Sequence, residues 1–369
     1  MKVTTRTEHF TNPLYLESGR ILEPYDLTYE TYGELNSDKS NVIVICHALT
    51  GSHHAAGTYD GDRKAGWWDE MIGDGKPIDT EKFFVICVNV IGSCFGSTGP
   101  MSERYPSSSL HRLKFPVITI SDMVKSQRIL FDKLGIHKAE AIIGGSMGGM
   151  QALCFAIEHP NFAKKHILLA STYATQPWAI AFNKVAREAL IKDPAFKNGL
   201  YDPKEIKKSG LSGLSTGRMC GYLSYLSPNS MDEKFGRNYV QTDGLYELFG
   251  KFEVERYLDY NGQNFVNWFD PLSFLYITKA INIFDAARNY DSLEDSLSRI
   301  NSKIRLISFS SDLLFLPQEM EKIHQTLANI GKKNLSKHYE IKSSYGHDAF
   351  LVELDKFSYI IKDELQQEL

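Results

Sequence analysis

The chain has 369 residues, 43% of them hydrophobic and 23% charged, with a formal net charge of −4 at pH 7. That length fits one large domain with an elaboration, or two domains, and it can bury a sizeable core without disulfides or a structural metal. The weakly acidic balance excludes a basic field that would gather nucleic acid or anionic lipid, so electrostatics names no macromolecular partner.

The N-terminal stretch, Met1 to Pro13, is polar and lacks the apolar core of a signal segment. Short β-branched runs then follow at Asn41–Cys46, Phe83–Val90, Ala139–Ile143, Lys165–Ala170, Lys303–Phe309 and His338–Ser343. Each is apolar almost throughout, with little in/out alternation, which predicts strands buried on both faces of a parallel sheet. Helical spacing predicts helices over Ile120–Leu134, Gly148–Glu158 and Gln318–Ile330, ended by Gly135, Pro160 and Gly331. Strands alternating with helices give an α/β fold with a mostly parallel sheet flanked by helices. From about Thr175 to Leu293 the β-branched runs give way to helix formers and many aromatic residues. This predicts a helical insertion, residues 175–294, inside a catalytic domain made of 1–174 and 295–369. A subdomain of that size reads either as plain structure or as a lid over a site.

The longest apolar runs are about eight residues, far short of a membrane span. The five cysteines, Cys46, Cys87, Cys94, Cys154 and Cys220, are odd in number and widely spread, without a CxxC pair. They read as free thiols in a reducing compartment, and a cytoplasmic protein with no membrane partner is expected.

The segment Gly144-Gly145-Ser146-Met147-Gly148 is G-x-S-x-G. Alone it is a weak signal. Here a strand pattern enters it and a helix pattern leaves it, which is the setting a nucleophile elbow requires. Such a turn lifts the serine hydroxyl above the carboxyl edge of the sheet, at a helix N-terminus that favours developing negative charge. A glycine-rich nucleotide-binding turn is the alternative, but no GxGxxG or Walker lysine accompanies it. A serine hydroxyl needs a base, and in this kind of fold the order along the chain is serine, acid, histidine. Asp312 and His347 both follow predicted strands on the same edge as Ser146. Taken singly, Asp312 also reads as a helix N-cap ahead of Pro317, and His347 as a loop histidine. Together with the elbow they make a candidate triad, with Ser146 attacking, His347 moving the proton and Asp312 orienting the imidazole. The N–H of Met147 is the expected first oxyanion donor. The second is expected from the loop His47–Gly51, with Leu49 preferred and Ala48 open. His53 and His54 show no metal-ligand spacing, and no metal is expected.

Several further segments accompany these residues: Cys46–Gly51, Gly66-Trp67-Trp68-Asp69, Ile78-Asp79-Thr80, Gly96–Pro100, Gly144–Gln151, Phe252–Leu258, Asn264-Phe265-Val266 and Gly346–Leu351. In that order, over nearly the whole chain, they resemble the homoserine O-acetyltransferase family of α/β-hydrolase-fold enzymes. The resemblance implies acetyl transfer from acetyl-CoA, a co-substrate with no permanently bound cofactor beside it, to L-homoserine. It implies a ping-pong acyl-serine route in methionine biosynthesis, and a homodimer. It places Ser146, Asp312 and His347 on the family triad. It places Arg218 and Tyr225 at the carboxylate of the amino-acid substrate and Asp348 at its ammonium. After Arg218 the chain reads Met219-Cys220-Gly221-Tyr222, where the family more usually has Ile-Gly-His. Relatives using succinyl-CoA or serine, and a lid-bearing serine esterase on the same triad, are the alternatives.

Overall fold

The computed structural model describes residues 3–61, 64–209, 211–241 and 246–366. The expected outer ends of the catalytic segments, at Met1 and Leu369, and positions 242–245 of the expected insertion lie outside the described residues. Eight strands form one sheet: β1 (Thr4–Phe10), β2 (Tyr25–Tyr32), β3 (Val42–Cys46), β4 (Phe84–Val88), β5 (Ala139–Gly145), β6 (Ala163–Leu169), β7 (Lys303–Phe309) and β8 (Ser336–Ile341). Their order across the sheet is β1-β2-β4-β3-β5-β6-β7-β8. β1 and β2 run antiparallel at one edge, and every pairing from β4 to β8 is parallel.

The continuous apolar runs have a simple cause. In β3, Val42, Val44 and Cys46 enter one apolar core, while Ile43 and Ile45 enter a second core on the opposite face. Both faces are covered, so neither set of alternating positions can be polar. The helices α1 (Ile120–Lys133) and α2 (Met147–Glu158) lie on the first side. Thr119 caps α1 with a reciprocal bond to Asp122. The predicted strands and helices all form, with ends shifted by a few residues. The predicted strand through Val90 stops at Val88 because the Val90 N–H turns away to a histidine ring nitrogen.

β1 and β2 are absent from the sequence reading. β2, Tyr-Asp-Leu-Thr-Tyr-Glu-Thr-Tyr, carries polar residues that are themselves buried, including the fully enclosed Glu30. A search for apolar runs passes over such a strand.

Between β6 and β7 the chain is helical: α3 (Pro177–Ile191), α4 (Pro203–Ser209), α5 (Ser212–Tyr225), α6 (Pro228–Phe235), α7 (Glu253–Val266) and α8 (Pro271–Asn282). Then α9 (Leu293–Ser298) leads into β7, and α10 (Pro317–Asn329), α11 (Ala349–Val352) and α12 (Ser358–Gln366) follow. Among the described residues no helix is long and apolar enough to cross a membrane.

The turn between β5 and α2 is tightly enclosed. A Cβ at Gly148 would lie 2.0 Å from the Cys46 carbonyl oxygen, a contact only a shift of the β3 end could relieve. Gly148→Ala should therefore cost on the order of 1–3 kcal/mol in overpacking. A urea-unfolding midpoint indistinguishable from that of the unaltered chain would show that this enclosure is not needed.

Candidate active site

Ser146 sits at the end of β5 with φ 56° and ψ −123°, and it is the N-cap residue of α2. A non-glycine residue in this region is strained and persists only when its surroundings over-determine it. Here the Ser146 N–H donates to the Leu169 carbonyl at 2.9 Å, and the Ser171 hydroxyl donates to the Ser146 carbonyl at 2.9 Å. The backbone is held on both sides while the side chain stands free of the sheet.

Its hydroxyl lies 2.9 Å from His347 Nε2, and His347 Nδ1 lies 2.7 Å from Asp312 Oδ2. A carboxylate only accepts, so the Nδ1 proton faces Asp312 and Nε2 is left as acceptor for the serine proton. The other Asp312 oxygen accepts from the Leu314 and Phe315 N–H groups at 2.8 and 3.0 Å. Asp312 does not cap α10; that position belongs to Leu316. Burial alone would push the His347 pKa down, but the Asp312 charge and hydrogen bond outweigh it and hold the imidazole above its ordinary value. Phe315 and Phe350 meet the imidazole edge-on, with ring centroids 5.3 and 5.8 Å away.

The loop after β3 faces the same cavity: Ala48, Leu49 and Thr50 line it together with Ser146 and His347. The peptide joining Ala48 to Leu49 is fixed through its carbonyl, which accepts from His47 Nδ1 at 2.8 Å and from the Gly51 N–H at 3.0 Å. The Leu49 N–H points the opposite way, because the two groups of a trans peptide are opposed. Neither it nor the Met147 N–H has an acceptor among the described residues. His47 is buried, which pushes its pKa down to about 4, so the ring is neutral. Its Nε2 accepts from Val90 N–H at 3.1 Å, and that bond selects the tautomer with a proton on Nδ1. The sequence reading passed over His47; its position next to the oxyanion segment was the available signal.

A second anchor lies behind the loop. Glu30 accepts from Tyr32 Oη at 2.6 Å, from Thr5 Oγ1 at 2.8 Å and from His54 Nδ1 at 2.9 Å, and also from Tyr59 Oη. The Tyr32 oxygen in turn accepts from the Ala55 and Ala56 N–H groups. Burial opposes the Glu30 charge, yet these donors bring its pKa below the ordinary value. His53 and His54 thus belong to a carboxylate network. Among the described residues no group of three or more His, Cys, Asp or Glu side chains is arranged to hold a metal.

Arg218, Tyr225 and Asp348 line the same cavity, the Tyr225 ring lying 6.1 Å from that of His347. The Arg218 guanidinium lies 4.7 Å from the Tyr222 ring centroid, 4.9 Å from that of Phe265 and 5.4 Å from that of Tyr225. Among the described residues it forms no ion pair, though the Asp348 charge acts on it. Burial raises the Asp348 pKa, with His347 and Arg218 pulling against that rise. The structure therefore gathers all eight sequence-predicted positions around one cavity: Leu49, Ser146, Met147, Arg218, Tyr225, Asp312, His347 and Asp348. Asp312 and Met147 stand just behind its wall.

Residues 41–354 match the family model for the alpha/beta hydrolase fold. A homoserine O-acetyltransferase of Sulfurimonas autotrophica is 66% identical over 365 residues, which cover 99% of each chain. The chain belongs to the homoserine O-acetyltransferase family. The fold superposes on the crystal structure of the homoserine O-acetyltransferase of Bacillus anthracis with a TM-score of 0.92 at 28% identity, covering 100% of this chain and 99% of that one. It also superposes on esterase E22 with a TM-score of 0.89 at 29% identity, covering 99% of this chain and 100% of that one. The same fold thus occurs in proteins named for transfer and for hydrolysis.

Two measurements test the geometry. A base that must be neutral loses activity as pH falls through its raised pKa, so the acidic limb of kcat/KM should half-titrate above pH 6.5. Burial pushes Glu319, close to Asp312 and His347, up to about 7, so the limb should survive Glu319→Gln. Asp312→Asn should lower kcat about 10⁴-fold by stabilising the wrong tautomer. A limb that disappears with Glu319 would remove it from His347. Separately, His47→Phe keeps a ring but leaves the Ala48 carbonyl held only by the Gly51 N–H. It should lower kcat/KM about 10²-fold, the usual cost of one lost oxyanion donor. Activity within twofold of the unaltered chain would show that the His47 bond is not needed to place the Leu49 N–H.

Proposed function

We propose that this chain transfers an acetyl group from acetyl-CoA to the hydroxyl of L-homoserine through an acyl-Ser146 intermediate. The single observation that carries the acceptor end is that an Arg218 cation and an Asp348 carboxylate line one cavity, with no ion pair between them among the described residues. A charge held below the surface without a partner is costly, and a ligand with the opposite charges at the matching spacing removes that cost. A zwitterionic amino acid has such a pair. Its carboxylate suits the planar fork of Arg218, with Tyr225 beside it, and its ammonium suits Asp348.

In this reading His347 Nε2 takes the Ser146 proton as the oxygen attacks the thioester carbonyl. The N–H groups of Leu49 and Met147 hold the tetrahedral oxyanion. The C–S bond breaks, CoA leaves with the proton from His347, and acetyl-Ser146 remains. Homoserine then loses its hydroxyl proton to His347 and its oxygen attacks the acyl carbon. O-acetylhomoserine leaves, and the proton returns to Ser146. The order of events is ping-pong. Nothing beyond the protein's own side chains and the two substrates is required.

Residues 175–294 act in this reading as a helical lid on a catalytic body of 1–174 and 295–369. It is a fixed roof rather than a hinged one, because α5 is joined to the loop of His347. The Ser227 N–H donates to the Tyr345 carbonyl at 2.8 Å, and the Asp348 N–H donates to the Tyr225 carbonyl at 3.1 Å. A roof of this kind keeps water from the acyl-serine, which separates transfer from hydrolysis. The reading extends to a cytoplasmic homodimer serving methionine biosynthesis. Exposed apolar side chains on the outer helices, Trp178, Val185 and Tyr260 among them, support an association there.

A second reading, ester hydrolysis, is favoured by the close superposition on esterase E22. Thiol release separates the two. With acetyl-CoA, free thiol should appear in a burst equal to the enzyme concentration, and steady release should follow only on adding homoserine. Ser146→Ala should lose the burst, and Arg218→Ala should keep it while losing most of the homoserine-dependent rate. Steady release without homoserine would favour the hydrolase. No release with acetyl-CoA, but release with succinyl-CoA, would move the donor assignment.

A further inference from the structure

Arg218 can grip a carboxylate only if its guanidinium is presented at one angle, and its own hydrogen bonding does little to set that angle. Among the described residues it donates one hydrogen bond, from Nη2 to the Tyr222 hydroxyl at 3.4 Å. That contact is long, but it stands at the end of a directional series. Asn261 Nδ2 donates to the Tyr257 carbonyl at 2.8 Å, one turn earlier on α7. The amide orientation is thereby settled, and its Oδ1 faces α5. The Tyr222 hydroxyl lies 3.1 Å from that Oδ1, and since an amide oxygen only accepts, Tyr222 must donate to it. The lone pairs of the Tyr222 oxygen are then left facing Arg218. The Tyr222 ring supports the guanidinium at 4.7 Å, and its hydroxyl supplies direction.

We propose that Tyr222 and Asn261 are positioning residues for the amino-acid substrate, holding Arg218 so that its remaining N–H groups face the cavity. The inference rests on the acceptor site assigned above. Tyr222 stands where the family pattern set out above leads one to expect histidine. Arg218 and Tyr222 are one turn apart on α5, so the ring alone restrains the cation within that helix. Asn261 adds a lock to α7. The carboxylate-binding angle is thus set by the packing of two helices rather than by one side chain.

The consequence is a split between the half-reactions. Tyr222→Phe keeps the ring and removes the hydroxyl. It should raise KM for homoserine about 3- to 10-fold, the range for losing a weak bond to a charged group. Burst formation of acyl-enzyme from acetyl-CoA and the melting temperature should be unchanged. Asn261→Leu should raise the same KM to a similar extent. The double variant should be no worse than the poorer single, since both act through one bond series. An unchanged homoserine KM in Tyr222→Phe would overturn the proposal. So would equal slowing of both half-reactions, or multiplicative effects in the double variant. Arg218→Ala tells the two levels apart. If it raises KM strongly while Tyr222→Phe does not, the positioning series alone fails. If Arg218→Ala itself leaves homoserine KM unchanged, the acceptor site fails with it.

Discussion

The backbone of residues 344–348 is engaged from two sides. Its Tyr345 carbonyl and Asp348 N–H bond to Ser227 and Tyr225 at the end of α5, the Ser344 carbonyl accepts from the Ser227 hydroxyl, and the Gly346 N–H donates to the Ser311 hydroxyl at 2.9 Å. Gly346 is required at this junction. Its φ is 113°, and a Cβ there would lie 2.6 Å from the Ser227 nitrogen. His347 is carried between these contacts. The sheet edge that holds Asp312 and the helix that holds Arg218 are thereby referred to the same imidazole. Movement of α5 away from the sheet would break the bonds that place His347, so the relay and the Arg218 side of the cavity hold their shape together.

The electrostatics follow from that enclosure. Asp312 is almost wholly removed from solvent, with its oxygens taken up by His347 and by two backbone N–H groups. A carboxylate satisfied in this way supports a positive imidazolium far better than one in water would. Arg218 is placed differently. Its charge is met by the faces of three rings and left open toward the cavity. Aromatic faces attract a cation without neutralising it. One charge is thus satisfied within the fold, while the other meets ring faces and the cavity.

The superposition on an esterase shows how little the fold itself says about the acceptor. In the proposed reading the elbow, the relay and the two N–H groups activate an acyl carbon, which an oxygen nucleophile can then attack. In that reading the choice between water and an alcohol lies in the insertion, in Arg218 with its rings and in the contacts between the end of α5 and the loop of His347. These are the parts with the weakest signal in the sequence. Arg218 has no local pattern to distinguish it from a surface arginine, and its assignment came from family likeness. Tyr222 showed only as a departure from the family pattern, His47 only as the start of a loop and Asn261 not at all, since each meets a partner on another element.

What the sequence determined by itself is local. Glycine spacing around Ser146, a strand run before it and a helix pattern after it dictate the elbow. Apolar runs without alternation dictate a sheet covered on both faces. Chain order named Asp312 and His347. Tertiary structure alone decided what these groups meet. His347 and Ser146 are 201 residues apart in the chain and 2.9 Å apart in space. The orientation of the Ala48–Leu49 peptide depends on a bond from a buried histidine, and the buried polar groups of β2 find their partners only after folding. Periodicity and turn chemistry act between near neighbours, so they can be read in order. Hydrogen bonds and charges act through space, and only the packed chain brings their two ends together.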